Sequence, residues 1–345
     1  MCADMFLPGM VSPPRTDDAA LDTGARCTLC GADADAQVPL SLRTSGDLLD
    51  LGAYRAVLCT HCRVARTVPA PRAVARTIAP DVGEDALRPT QRALLQRFIR
   101  QRVARVRPLL GGGPRPRVAD IGGGACAFAN ALAATGCEVV VFEPNPANAR
   151  FADASAGVRF VAAPFDERAT AAAGVADGML DGITMWHSLE HVPDAMATLA
   201  LARRLLRPGG VLYVCVPNLQ SLQAGVGGTR WCYADIPHHV THFTIAGLDA
   251  ALHRTGFVTA APRRWNAEYE IFGWYQTLLN VLTGSHNFFY NRAKKGRAAN
   301  AGPHPSWTRA VTACGPLLLP FALLASWSAA AVAKPACAEL HGIAP

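Results

Sequence analysis

The stretch that most limits the fold is VADIGGGACAFANAL, residues 118–132. It opens as a short apolar strand, passes through Gly122, Gly123 and Gly124, and continues with the apolar spacing of a helix. Consecutive glycines free the backbone for left-handed conformations and leave it bare to a close neighbour. A strand that turns straight into a helix must regain the sheet by a crossover, which makes the next strand parallel to the first. Strand patterns recur near 117–121, 138–142, 158–162, 181–186, 210–216 and 257–263, with helical patterns between them. This alternation predicts an α/β chain with a doubly wound, mostly parallel sheet covered by helices on both faces. A helix is also expected from Arg88 to Arg107, with Leu94, Leu95, Phe98, Ile99, Val103 and Val106 on its inward side.

Half of the 345 residues are apolar and 17% are charged, which excludes a disordered chain. The net charge of +7 comes almost wholly from arginine; Lys294, Lys295 and Lys334 are the lysines. Spread over this length, it gives little reason to expect nucleic acid as a partner. The start, MCADMFLPGMVSPPRTDD, has no basic segment leading into an apolar run, so no secretory leader is expected. The eleven cysteines then read as thiols or metal ligands of a cytoplasmic protein. Residues 1–20 read as a loose tail.

Four cysteines form two pairs, CTLC and CTHC, at Cys27, Cys30, Cys59 and Cys62. A two-residue gap lets both thiolates of one turn face a common point, and two such turns make a closed tetrahedral site. Gly31 supplies the freedom a cysteine knuckle needs after its second ligand, whereas the second knuckle has Arg63 there. A small zinc ribbon over residues 21–75 is expected, with a structural ion and His61 outside the ligand set. The alternative is four unrelated buried cysteines. No basic and aromatic interleaving surrounds the pairs, so the ribbon does not read as a DNA-binding one.

Gly122, Gly124 and Ala127 fit a GxGxxA pattern, and Glu143 ends the next strand, CEVVVFE. That is also the dinucleotide fingerprint, so an NAD-dependent oxidoreductase stays open at this point. Asp120, two residues before the first glycine, argues otherwise. Its carboxylate suits a cationic amino group and would repel a pyrophosphate.

The segments VADIGGGA, VVFEPN, LDGITMWHSLEHVPD (180–194), LLRPGGVLYVCVPN (205–218) and WCYADIPHHVTHFTIAGL (231–248) occur in that order. Together they resemble the class I S-adenosylmethionine-dependent methyltransferases over about residues 90–263. The likeness is to the bacterial subgroup with a Leu-Glu-His-Val-Pro-Asp stretch after the fourth strand. Amino-terminal zinc ribbons also occur among such enzymes, some of them sugar methyltransferases. The resemblance implies a Rossmann-like, seven-stranded sheet. It implies that Asp120 sits near the methionine amine, that Gly122 and Gly124 admit the cofactor, and that Glu143 takes both ribose hydroxyls. Cys126 stands where the family carries a third glycine. Phe165 and Asp166 fall where the family holds adenine, and Trp186, His187 and Ser188 end the fourth strand at the ligand-binding edge.

Methyl transfer from a sulfonium is an in-line displacement, so the protein must align the partners and accept a proton from an O or N acceptor. The candidates for that proton are His187, His191, His239 and His242. His187 reads as pocket wall or proton acceptor, and His191 alternatively as a hydrogen-bonding cap for the helix after VPD. His239 and His242, three apart, line the acceptor site or join a carboxylate around a metal. Glu190 reads as structural.

The methyltransferase core is placed at 76–265 and an apolar, aromatic insertion covering the acceptor at 266–326, with peripheral membrane contact. Residues 310–333 carry no charge but contain Pro316 and Pro320, so they do not read as one spanning helix. The run is read as a short helix at 315–326 and the seventh strand at 328–333, within a last segment of 327–345. The expected function is methyl transfer from S-adenosylmethionine to a small-molecule acceptor such as a sugar, a lipid-linked compound or a secondary metabolite. The alternative is a catalytically inert zinc-ribbon and Rossmann binding protein.

Overall fold

The computed structural model describes residues 26–33, 36–40, 54–68, 87–111, 113–295 and 306–345. The expected tail at 1–20 lies outside them. Contacts divide the chain into two compact units, each assembled from separated segments. One combines the amino-terminal residues with 217–248 and 263–338; the other holds 75–216, 249–262 and 339–345. The cysteine-bearing segment and the predicted insertion at 266–326 therefore share a unit.

Along the chain, β1 (Gln37–Leu40), β2 (Arg55–Cys59) and β3 (Ala65–Val68) form an antiparallel meander. α1 (Pro89–Val106) follows, with Pro89 at its first position, where a missing N–H costs nothing. Only Ile99 and Val106 of its apolar residues are buried, and Leu94 is about half exposed at 51%. Leu95, Phe98 and Val103 are partly buried beside them, so the expected inward face holds except at Leu94.

The core sheet then begins with β4 (Arg117–Ile121), α2 (Ala127–Ala133), β5 (Glu138–Phe142), β6 (Val158–Val161), α3 (Glu167–Ala172), β7 (Leu180–Trp186), α4 (Ala195–Leu205) and β8 (Leu206–Pro217). Val139, Val140, Val141 and Phe142 are all buried, the continuous apolar run a strand needs when helices cover both faces. Asp194 starts α4 by accepting the Ala197 N–H at 2.9 Å, and the helix buries Leu199, Ala202 and Leu205. Next come α5 (Leu222–Gly227), β9 (Thr241–His242), α6 (Ile245–Arg254) and β10 (Val258–Thr259). β10 is shorter than the strand expected at 257–263; Pro262 has no N–H to continue a ladder.

The helices α7 (Ala267–Thr283), α8 (Phe288–Lys295), α9 (Thr308–Ala313) and α10 (Leu319–Ala331) precede the last strand, β11 (Cys337–Ile343). The strand placed at 328–333 is thus a correction: residues up to Ala331 are helical. Alanine has the strongest helix propensity, and the Ser-Ala-Ala-Ala run simply prolongs α10. The strand comes after Pro335 instead.

The seven strands lie in the order β10-β11-β8-β7-β4-β5-β6, with the β6-to-β8 run parallel and β10 antiparallel to β11. The chain reverses its winding direction at β4, flanked by β5 and β7. This Rossmann-like order opens a crevice beyond the carboxyl ends of those strands, where open α/β sheets bind ligands. Inside the β10 edge, buried Glu339 of β11 accepts from Arg105 of α1 at 3.1 Å and from the Tyr213 hydroxyl of β8. Burial and the adjoining Glu339 charge push the Tyr213 phenol well above its ordinary range.

The meander gains a fourth strand in its own unit. β9 pairs antiparallel with β3, setting Ala65 opposite His242. Leu40, Ala56, Leu58 and Ala65 pack with Leu219, Ala224, Trp231 and Ile236 in one apolar cluster.

Candidate functional site

At the carboxyl end of β4, Gly122 and Gly124 both take positive φ, +71° and +50°. A Cβ at Gly122 would meet the Ser188 Cβ at 2.7 Å, so only glycine fits there. Cys126 also has a positive φ, 56°, and α2 begins directly after it without a side-chain cap. The residue replacing the resembling family's third glycine therefore keeps a glycine-like conformation, at the steric cost an L residue carries there.

Glu143 ties this loop to the end of β5. One carboxylate oxygen accepts the Gly124 N–H at 3.1 Å and the other the Asn145 N–H at 2.9 Å. Asp120 is buried and accepts the Thr184 hydroxyl at 2.7 Å. Burial pushes its carboxyl up to about 6, helped by the Glu143 charge and opposed by Thr184 and Arg102. Phe165 packs edge-on against Phe142 with ring centres 5.4 Å apart. Asp166 is exposed and serves as the cap of α3, accepting the Ala169 N–H at 2.7 Å.

β7 delivers Trp186, buried between Phe128 at 5.6 Å and Tyr213 at 5.0 Å, with the Arg102 guanidinium over its ring at 5.0 Å. His187 follows with φ +51°, a conformation that L residues hold only where surrounding structure imposes it. Its Nδ1 lies 3.4 Å from the Glu190 carboxylate. Burial, then the Arg102 and His191 charges, bring the imidazole down to about 3, so it is neutral at physiological pH. His191 sits in a one-turn 3₁₀ segment, Leu189–His191. It does not cap the next helix; Asp194 does. Asp120, Gly122, Gly124, Glu143, Trp186, His187 and His191 thus share one unit and one sheet edge.

His239 belongs to the other unit. Its backbone carbonyl accepts the Thr67 hydroxyl at 2.6 Å, and the same hydroxyl lies 3.1 Å from His242 Nε2. His239 and His242 have ring centres 6.1 Å apart. Beside them, His238 Nδ1 contacts Asp235 at 3.1 Å, a pairing that the sequence reading passed over although the two are three residues apart. Thr184 and Arg102 were also missed. Thr184 pairs across the ladder with Asp120, which strand register would have shown; Arg102 carries no local signal.

In this unit the four thiols converge. Cys27 Sγ is 3.7 Å from Cys62 Sγ, and Cys30 Sγ is 3.6 Å from Cys59 Sγ; all four lie within 4.8 Å of one another. Tetrahedral coordination at a zinc–sulfur distance of about 2.3 Å separates the sulfurs by about 3.8 Å, so the donor set and its spacing fit that ion. The Cys62 thiol is the main influence pulling Cys27 down to about 4, while Cys62 itself is pushed up. Gly31 and Arg63, following the two knuckles, both have positive φ, +73° and 59°. All ten cysteines among the described residues are free of disulfides.

Residues 92–261 match a methyltransferase domain. The chain is similar to the ubiquinone biosynthesis O-methyltransferase of Xanthomonas campestris, 29% identical over 152 residues, covering 41% of this chain and 62% of that protein. The Rhizobium rhizogenes protein of the same name is 33% identical over 104 residues, 30% of this chain and 41% of that one. The chain therefore spans less than two thirds of these curated relatives. Among solved structures, 1,6-didemethyltoxoflavin-N1-methyltransferase of Burkholderia thailandensis, with bound 1,6-didemethyltoxoflavin and S-adenosylhomocysteine, aligns with a TM-score of 0.36. It is 22% identical and covers 48% of this chain and 70% of that one. A SAM-dependent methyltransferase of Archaeoglobus fulgidus aligns at 0.39, with 22% identity and 48% and 71% covered.

Proposed function

We propose that the methyltransferase domain transfers a methyl group from S-adenosylmethionine to a small-molecule acceptor. The observation that carries this reading is the Glu143 brace. Its carboxylate accepts two backbone N–H groups, from Gly124 and Asn145. A carboxylate accepts about four hydrogen bonds, so capacity remains for the two vicinal hydroxyls of a ribose. Gly122 and Gly124 keep the adjoining backbone bare, and Asp120 supplies an anion for the methionine amine. When that amine binds, its charge favours the ionised carboxyl, offsetting the burial that raises it. Trp186 would wall the cofactor, with Phe165 and Asp166 on the adenine side.

The cofactor supplies an activated methyl group. The chain must align the acceptor and take its proton. His187 is assigned to accept the acceptor's proton, with the Glu190 carboxylate 3.4 Å from its Nδ1 to stabilise the cation formed. His191 is assigned to the acceptor's surroundings. The four cysteines are assigned a structural zinc, since four protein thiolates leave no open coordination position.

The test is calorimetric titration with S-adenosylmethionine and S-adenosylhomocysteine, followed by turnover on phenolic, amine, sugar and lipid-linked acceptors. Binding of both with S-adenosylhomocysteine formation is expected. Well-folded protein that takes up neither compound sinks the reading, and tight binding of NAD in their place would revive the oxidoreductase.

A further inference from the structure

α10 is built inside out. Its buried residues, Ala322, Ser326 and Ala329, are small and recur at steps of four and three. They let the helix lie close against the α7 cluster of Trp274, Tyr275 and Leu279, and Ser326 accepts the Trp265 indole N–H at 2.7 Å. The bulky apolar side chains face the other way: Phe321 is 64% exposed, Leu324 64% and Trp327 67%, and Leu317 in the turn before the helix is 72% exposed. A helix on a water-soluble surface shows the reverse pattern, with its large apolar residues inward. Leu319, Leu323 and Val332 continue the exposed set. Single exposed leucines are ordinary; a set carried by one helix and the residues flanking it marks an interaction surface.

Charge says what covers it. From Ile271 to Ala338 the sequence contains no Asp or Glu, while it contains Arg292, Lys294, Lys295, Arg297, Arg309 and Lys334. A second copy of the chain would bring the same positive charge to the contact. An anionic lipid surface complements it, and tryptophan favours the headgroup layer. α10 has 13 residues, a length of about 20 Å against a hydrocarbon core of about 30 Å. No helix among the described residues is long and apolar enough to cross a membrane.

We propose that the outer face of α10, with Phe321, Leu324 and Trp327, and Leu317 in the turn just before it, lies in the interfacial layer of an anionic membrane, the helix parallel to its plane. Apolar side chains supply the depth and the acid-free segment the attraction to headgroups. This is independent of the methyl-transfer reading.

The test is flotation of the full chain with vesicles of phosphatidylcholine alone and with added phosphatidylglycerol, at low and high salt. Two variants accompany it: a triple Phe321→Ser, Leu324→Ser, Trp327→Ser, and a charge reversal, Arg309→Glu with Lys334→Glu. Since the serine sites are exposed, thermal unfolding of the triple variant should match the parent. The parent should float with the anionic vesicles, at least tenfold less in the triple variant, and less in high salt and after charge reversal. Absence of flotation on either composition overturns the proposal. Equal flotation on both overturns the anionic assignment. Concentration-dependent self-association that the serine variant abolishes, without vesicle binding, replaces the membrane by a second copy.

Discussion

Replacing Glu143 by alanine removes two sets of hydrogen bonds. The first is in the structure: the Gly124 and Asn145 N–H groups, at 3.1 and 2.9 Å, lose a common acceptor. The carboxylate is only 8% exposed. Hydrogen bonds to a charged group contribute about 1.5–3 kcal/mol each, but water can reach two amides at a loop edge, so a stability loss of about 2–3 kcal/mol is expected. The second set forms with the ribose. Losing two such bonds lowers affinity by at least about tenfold, since roughly 1.4 kcal/mol is a factor of ten. Denaturant unfolding measures the first effect and calorimetry with S-adenosylhomocysteine the second. A cofactor analogue without the ribose 2′ and 3′ hydroxyls separates them. The parent should bind the analogue far more weakly than S-adenosylhomocysteine, whereas the alanine variant should hardly distinguish the two. If the parent binds both equally, or the variant keeps full affinity, Glu143 does not hold a ribose and the argument from its spare acceptor capacity fails.

The metal assignment predicts about one zinc per chain by elemental analysis, and Cys59→Ser or a strong chelator should lower the unfolding temperature; metal-free protein with unchanged unfolding would refute it. Arg105→Met leaves the buried Glu339 with Tyr213 but without its cation. A loss of about 3 kcal/mol in denaturant unfolding is expected. Glu270 is buried, accepts the Ala336 N–H, and is raised by burial to about 7. A raised carboxyl holds a proton in the folded chain that the unfolded chain has already released, so its contribution to stability falls as pH rises from about 4.3 to 7. Relative to parent, Glu270→Gln should therefore become progressively more stable over that window, and a parallel pair of stability curves would contradict the sign. Gly122→Ala meets both a positive φ of +71° and the Ser188 Cβ at 2.7 Å. It should destabilise by about 2–4 kcal/mol, and Ser188→Gly in the same chain should recover only the steric part.

The strand–glycine–helix joint could be read from sequence because its geometry is local: Asp120, Gly122, Gly124 and Glu143 sit where strand ends and crossovers must put them. The four thiols of the CxxC pairs also meet, since each pair's separation is fixed by a single turn. What escaped reading depends on distant partners or on competing propensities. Thr184 acquires its role from a neighbouring strand, and β9 from pairing with β3. The alanine run at the end of α10 offered no period to set a strand against a helix, which displaced the last strand by several residues. In α1 the expected apolar stripe is covered from Leu95 to Val106, and Leu94 at its start stays exposed.

The pairing of β9 with β3 bears on the order in which the chain can be completed. Thr67 and His242 are 175 residues apart, and closing a flexible loop of that length costs about 4–5 kcal/mol beyond the constant term. During synthesis the cysteine knuckles emerge early, yet the strand that flanks β3 emerges only after the first five parallel strands of the other unit. Until then the meander lacks its fourth strand and the apolar cover from Leu219, Trp231 and Ile236. A bound ion would give the early segment a local cross-link over that interval. Ribosome-bound chains ending before residue 217 should therefore show metal-dependent protease resistance in the knuckles, which chains reaching residue 345 would keep for longer after chelation.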